Sequence, residues 1–225
     1  MPRARESIAC YPPDRDEREC LETINALVAA GFSLEDLRPY AKGTDSLLLL
    51  NAPTKTLIKV PRLDSNASPL KEGLFLLLLE KSSEVKLAPR VYSFSERFVH
   101  MELIEGEELA DFLDRGGRLR PSQICSLLRK ALALDLIGVD HGELVRPHKH
   151  VMLTKRGGEP VFVDFGRASA TRRSKNLASL LSFLVGLSDE LSRMRAQIIE
   201  ELRRCKVEKD RCRLLVEFLC SEVGA

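Results

Sequence analysis

No apolar run in this sequence approaches the roughly 20 residues needed to cross a bilayer; the longest is the six residues Leu74 to Leu79. Charge of one sign is not in excess either. With 35 Lys and Arg against 33 Asp and Glu the net charge is +2, so the chain lacks the basic footprint that nucleic-acid or membrane-surface binding calls for. The stretch MPRARESIACYPPDRDERE has no apolar core of the kind a secretory signal needs, and a cytoplasmic protein is expected. The six cysteines (Cys10, Cys20, Cys125, Cys205, Cys212, Cys220) form no C-x-x-C pair, which argues against a zinc knuckle or a thioredoxin-type motif. They read as buried or idle thiols. One bias speaks against that: Asn and Gln are scarce, four and two, while Arg is abundant, a pattern reported for thermophiles, whose intracellular proteins sometimes carry disulfides.

What is present suffices for a packed core. A chain of 225 residues, 44% of them apolar, suits one domain of two lobes or two small domains. Apolar residues Leu21, Ile24, Leu27 and Val28 recur at helical spacing, so residues 14 to 38 read as a helix ending near Gly31 followed by a short one that Ser33 caps, through Leu37. The runs LLLL and TLIKVPR flank a turn with Asn51, Pro53 and Thr54, a hairpin signal, and the loop KGTDS precedes the first strand. Ser68 and Pro69 stand where a helix starts, with Glu72 in its first turn, and RVYSF and FVHMEL supply two more strands. Beyond residue 105 the pattern is mainly helical, interrupted by the loop HGELVRPHKH and the strands VMLT and VFVDFG. This order divides the chain into an N-terminal helical extension at 1–38, a β-rich lobe at 39–104 and a helical lobe at 105–225, an α+β architecture with a cleft expected between lobes.

Four features then fall in one order: Lys59 in a strand, Glu72 in the next helix, the HGE loop after a long helix, and Asp164-Phe165-Gly166 closing a strand. Alone, each has an ordinary structural reading. In this order they resemble the protein kinase fold, and HGEL is similar to the HGDL of small atypical kinases of the RIO type and their archaeal relatives. The resemblance covers about residues 39 to 190. It implies a bilobal kinase-like fold with a minimal activation segment, since only RASATRRS separates D-F-G from Lys175. It implies ATP with magnesium or manganese as cofactors and an unidentified protein acceptor or partner.

The residue roles implied follow from what phosphoryl transfer requires: a cation on the phosphates, a carboxylate on the metal and a group orienting the acceptor. Lys59 would hold the phosphates and Glu72 would hold Lys59, with Glu80 as fallback partner two turns along the same helix. Gly43, Thr44 and Ser46 would contact phosphate from a loop with one glycine where kinases usually have three. Met101 falls at the gatekeeper position, and Glu102 to Ile104 would offer backbone groups to adenine. Asp164 would ligate the metal with its hard oxygen.

In HGELVRPHKH, Glu143 takes the place of the catalytic aspartate, and His148 or His150 that of the metal-binding asparagine. His148 keeps the family spacing; His150 is preferred because it abuts VMLT as the asparagine abuts its strand. The extra methylene of glutamate moves the carboxylate by about 1 Å, a displacement that can cost ~100-fold in rate. Imidazole is an unusual magnesium ligand, so His150 is read either as a metal ligand or as a donor to phosphate. A zinc site is disfavoured, because H-x6-H-x-H has no recognised structural-zinc spacing. Three readings stay open: an atypical Ser/Thr kinase or ATPase, a nucleotide-sensing pseudokinase that holds a partner, and a small-molecule phosphotransferase of the aminoglycoside-kinase type.

Overall fold

The computed structural model describes residues 9–12, 17–205 and 209–224. The charged start expected for the first helix, residues 14–16, lies outside them. The described residues form two compact units, one within Met1–Leu78 and Pro89–Leu103, the other within Leu79–Ala88 and Ile104–Ala225.

In the first unit, helix α1 (Glu17–Ala29) leads through a 3-10 turn (Leu34–Asp36) to strands β1 (Leu37–Lys42), β2 (Ser46–Asn51) and β3 (Thr56–Pro61). Helix α2 (Pro69–Ser82), of which Leu79–Ser82 count with the second unit, β4 (Val91–Phe94) and β5 (Val99–Glu102) follow. The strands make one antiparallel sheet in the order β1-β2-β3-β5-β4. Strands β2 and β3 are the two apolar runs, held together by burial on the sheet face. Ser68 supports the start of α2 by accepting the Lys71 amide at 3.3 Å.

Three expectations need correction in this unit. Leu37 to Lys42 form a strand where the expectation is a short helix ending at Leu37 and, from Lys42, the loop KGTDS. β1 is an edge strand with one buried residue, and Pro39, which cannot donate to a ladder, sits beside a register shift; no alternation survives to betray it. Ser33 stands at the N-cap of the 3-10 turn but makes no side-chain capping bond. Cys10 and Cys20 are not idle thiols: they form a disulfide, their Cα atoms lying 5.3 Å apart, inside the span such a bond requires. Leu27 of α1 and Ala9 pack with Leu37, Leu49, Ile58, Val60 and Phe98, so α1 shares a core with the sheet.

In the second unit, β6 (Gly106–Glu108), β7 (Val151–Thr154) and β8 (Pro160–Phe162) form a small antiparallel sheet. Around it lie α3 (Leu109–Asp114), α4 (Pro121–Ile137), α5 (Asn176–Leu184), α6 (Asp189–Arg193), α7 (Arg195–Cys205) and α8 (Lys209–Gly224). β6 is the second strand absent from the sequence reading. It is three residues long, and only glycine fits at 106, where a Cβ would stand 2.1 Å from the Leu153 carbonyl oxygen. The helical pattern of DELSRMRAQIIEELRRC is broken at Met194 into α6 and α7.

Two polar groups, Lys130 buried and Asp135 half-buried, tie this unit together. Lys130 of α4 donates to Glu159 at 2.7 Å and to the Pro160 carbonyl at 2.5 Å, fastening the β7–β8 turn to the helix. Asp135 accepts the Asn176 and Leu177 amides, at 2.8 and 3.0 Å, and thereby caps α5 from the end of α4. No helix among the described residues is long and apolar enough to cross a membrane.

Candidate active site

In the first unit, Lys59 sits in β3 opposite Leu48 and Val99. Its ammonium lies 2.9 and 2.8 Å from the two carboxylate oxygens of Glu72. The side chains are 11% and 4% exposed, so neither charge is left to water and each supplies the other's desolvated partner. Glu72 also stands in the first turn of α2, where the helix dipole favours a carboxylate. Glu80, the fallback, is exposed further along the same helix.

Gly43, Thr44 and Asp45 make the turn between β1 and β2. The Gly43 amide donates to the Ser46 carbonyl at 2.9 Å, while the Asp45 carbonyl accepts from the Arg62 amide at 3.0 Å and the Ser65 hydroxyl at 2.7 Å. These bonds pin the turn to the segment leaving β3. Met101 is buried in β5, opposite Leu57 and Val91. Glu102 donates its amide to the Arg90 carbonyl at 2.8 Å and accepts the Arg90 amide on its carboxylate at 3.1 Å. Ile104, buried, lies just inside the second unit.

The catalytic-loop candidates all belong to that second unit. His141 is fully buried; its amide donates to Asn176 Oδ1 at 2.9 Å and its Nε2 lies 3.1 Å from the Val163 carbonyl. A carbonyl only accepts, so Nε2 carries the proton. Burial, and then the neighbouring His150, push its pKa down to about 4, and the ring is neutral at pH 7, set 4.5 Å from the Phe165 ring. Gly142 follows at φ +91°, a conformation that costs glycine nothing, with the Arg172 guanidinium and the Arg167 carbonyl closing off the space a Cβ would need.

Glu143 is thereby brought between two basic side chains. Its Oε1 lies 3.2 Å from Arg167 Nε and its Oε2 4.0 Å from His150 Nε2. The His150 carbonyl accepts the Val163 amide at 3.0 Å, which couples the loop to the strand running into Asp164. Of the two histidine candidates, His150 faces Glu143, whereas His148 packs on the Phe183 ring of α5 at 5.0 Å.

Asp164 has φ +64°, one of two non-glycine residues at positive φ among those described. Such a conformation is costly and persists only where its surroundings enforce it. Its carboxylate is at an exposed position, with the Gly166 amide 3.4 Å away. Magnesium usually takes one or two carboxylates together with phosphate oxygens, and Asp164 suits that donor set. His150 suits it less: its Nδ1 is buried without a partner and its Nε2 is turned toward Glu143, which fits a hydrogen-bond donor better than a ligand to a hard cation. Among the described residues, no three His, Cys, Asp or Glu side chains are grouped so as to hold a metal ion.

Sequence reasoning did not find Arg167, Asp140 or Arg172. Asp140 is buried, pairs backbone to backbone with Ser169 at 2.9 Å in both directions, and accepts Arg172 Nε at 2.7 Å. Arg172 also donates to the Arg167 carbonyl at 2.6 Å. The short segment after D-F-G is thus fastened to the residue immediately before the HGE loop. The aspartate preceding HGE was the available signal.

Compared by sequence, the chain matches no protein-family model and no curated protein. Compared by structure, it matches a co-crystal structure of WbdD with a kinase inhibitor at a TM-score of 0.58, over 83% of this chain and 46% of that one, with 22% identity. The fold is kinase-like. A structure described as the bifunctional kinase-methyltransferase WbdD is 25% identical, with a TM-score of 0.45 over 66% of this chain and 36% of that one. The chain spans less than half the length of either WbdD chain. The likeness is one of fold and does not single out the RIO-type branch.

Proposed function

We propose that this chain is an ATP-dependent phosphotransferase, an atypical Ser/Thr protein kinase or ATPase of the RIO-like kind. The observation that carries the reading is the buried Lys59–Glu72 pair, with both carboxylate oxygens within 2.9 Å of one ammonium. A lysine held so firmly is preorganised to meet phosphate, which is the main contribution a protein makes to phosphoryl transfer.

In this reading Lys59 holds the α- and β-phosphates, and the turn at Gly43, Thr44 and Ser46 adds backbone and hydroxyl contacts. Met101 closes the back of the adenine site, and Glu102 to Ile104 present backbone groups to the base. Asp164 holds magnesium or manganese, which supplies charge neutralisation on the phosphates. Glu143 orients the acceptor hydroxyl and takes its proton, while His150 steadies the carboxylate or donates to phosphate. A cytoplasmic setting and a protein acceptor belong to the same proposal.

One observation favours a second reading, a nucleotide-sensing pseudokinase. Glu143 is already engaged by Arg167 at 3.2 Å, so its carboxylate must leave the guanidinium before it can meet an acceptor hydroxyl. The deciding experiment measures phosphate release and autophosphorylation with ATP and magnesium or manganese, in wild type and Glu143→Gln. Turnover in wild type that falls at least ~100-fold in Glu143→Gln is expected, a loss in the range general-base catalysis supplies. Tight ATP binding with no wild-type turnover would leave the sensor reading in its place.

A further inference from the structure

A cavity of about 530 Å³ lies within the second unit, lined by residues of β6 and β7, of the loop from α3 to α4, and of the β7–β8 turn. None of the residues given a part in the nucleotide reading lines it. Its volume falls in the range of pockets that take small organic molecules, about 300 to 1,000 Å³. Phe112 and Leu153 supply apolar wall, and three cations, Arg118, Arg120 and Lys155, line it together with one carboxylate, Glu107. That carboxylate is already answered by Arg115 at 2.6 Å. Arg118 and Lys155 make no ion pair with another described residue, so the cavity holds a surplus of positive charge that an anion would relieve.

The walls are fixed by bonds that leave those charges in place. Gln123, buried in the first turn of α4, accepts the Arg120 amide at 2.9 Å and donates to the Gly158 carbonyl at 2.7 Å, while the Arg120 guanidinium donates to the Gly157 carbonyl. The Lys155 amide donates to the Glu105 carbonyl at 2.7 Å. The β7–β8 turn is thus fastened to α4 at one end and to the residue before β6 at the other. Gly158 has φ +65°, which glycine adopts freely, and a Cβ there would stand 2.8 Å from Gln123 Nε2. At Gly117 a Cβ would stand 2.8 Å from the Phe112 ring, so the loop closes directly on the aromatic wall. A site framed in this way needs little reordering when a ligand enters.

We propose that this cavity binds a small organic phosphate, its phosphoryl group held by Arg118, Arg120 and Lys155 and its apolar body laid against Phe112 and Leu153. A phosphate monoester suits three cations better than a carboxylate does, since near pH 7 it carries about −1.5 to −2 charges and three acceptor oxygens. Guanidinium groups meet such oxygens two at a time. A bare inorganic anion would leave most of the volume and the Phe112 ring uncovered, so the ligand carries a body of its own. The site stands apart from the nucleotide reading, because the two share no residue.

The test uses 1-naphthyl phosphate as probe, because the full chain has no tryptophan to mask naphthyl fluorescence. Its anisotropy should rise to saturation with wild-type protein, and 1-naphthol, the same body without the phosphate, should bind about ten-fold or more weakly. In Arg118→Ala/Lys155→Ala the affinity for 1-naphthyl phosphate should fall by a similar factor, about ten-fold or more. That variant should melt within a few degrees of wild type, since both side chains are exposed. Lys59→Met/Glu72→Leu, which removes the proposed phosphate contacts of the nucleotide site, should bind the probe as wild type does. Absence of saturable binding, unchanged affinity in Arg118→Ala/Lys155→Ala, or loss of binding in Lys59→Met/Glu72→Leu would each overturn the proposal. So would a phosphotyrosine peptide that binds more tightly than the probe, which would make the cavity a docking site for protein.

Discussion

Arg167 Nε stands 3.2 Å from Glu143 Oε1, so the carboxylate of the HGE loop is held by the residue directly after D-F-G. The guanidinium is 70% exposed, and an ion pair so open to solvent is worth about 1 kcal/mol or less. Arg167→Gln should therefore release Glu143 at little cost to stability. Turnover per bound ATP is expected to rise by up to a few-fold with ATP affinity unchanged. A loss of ten-fold or more in kcat would show that Arg167 itself contacts the transferring phosphate.

Lys59 and Glu72 form the opposite kind of pair, almost wholly withdrawn from water. Removing one member of such a pair strands the other, at a typical cost of about 3–5 kcal/mol, while replacing both with apolar residues is far milder. Lys59→Met should destabilise the chain by about 3 kcal/mol and Lys59→Met/Glu72→Leu should recover most of that stability, both without ATP binding. Urea denaturation of the two singles and the double closes the cycle; additive losses would mean the two charges do not depend on each other.

His141 makes stability depend on pH in one direction. Its folded pKa, about 4, lies below the ~6.5 of an unfolded histidine. Between those values the unfolded chain takes up a proton that the folded chain refuses, so stability falls as pH drops from about 6.5 to about 4, by at most about 3 kcal/mol. Above pH 6.5 the residue adds no pH dependence. His141→Asn, which retains an N–H for the Val163 carbonyl, should lose that slope when denaturation midpoints are compared at pH 7.5, 5.5 and 4.5. An unchanged slope would place the titration elsewhere.

Gly106→Ala tests the strand the sequence conceals. The added methyl has no room beside the Leu153 carbonyl oxygen, 2.1 Å from where the Cβ would lie, so β6 must part from β7. A loss of about 2–3 kcal/mol is expected, together with faster amide exchange at Leu153 and Thr154. Wild-type stability in the alanine variant would contradict the close approach.

Much of this arrangement was legible in the residues, and what was not has physical causes. The runs Leu47 to Leu50 and Thr56 to Pro61 announce β2 and β3 because burial makes them apolar, and the choice of Glu72 over Glu80 agrees with the 2.8 Å pair. β1 and β6 left no such mark: one lies at an edge with five of its six residues exposed, and the other is three residues pinned by a neighbour 47 positions away. His150 could be preferred over His148 only from its place beside β7. That His148 turns to Phe183 instead depends on α5, which no local pattern near residue 148 reveals. Arg167 and Arg172 look like ordinary surface arginines until the fold brings Glu143 and Asp140 to them. The Cys10–Cys20 bond likewise depends on where α1 packs, and spacing alone does not disclose it.

The central proposal, that the chain binds ATP with a metal ion held by Asp164, is tested most directly by ATP titration calorimetry with and without magnesium, on wild type and Asp164→Ala. Wild type should bind ATP at least ten-fold more tightly with magnesium than without it, and Asp164→Ala should bind equally weakly in both. Magnesium-dependent binding that survives intact in Asp164→Ala would contradict the account.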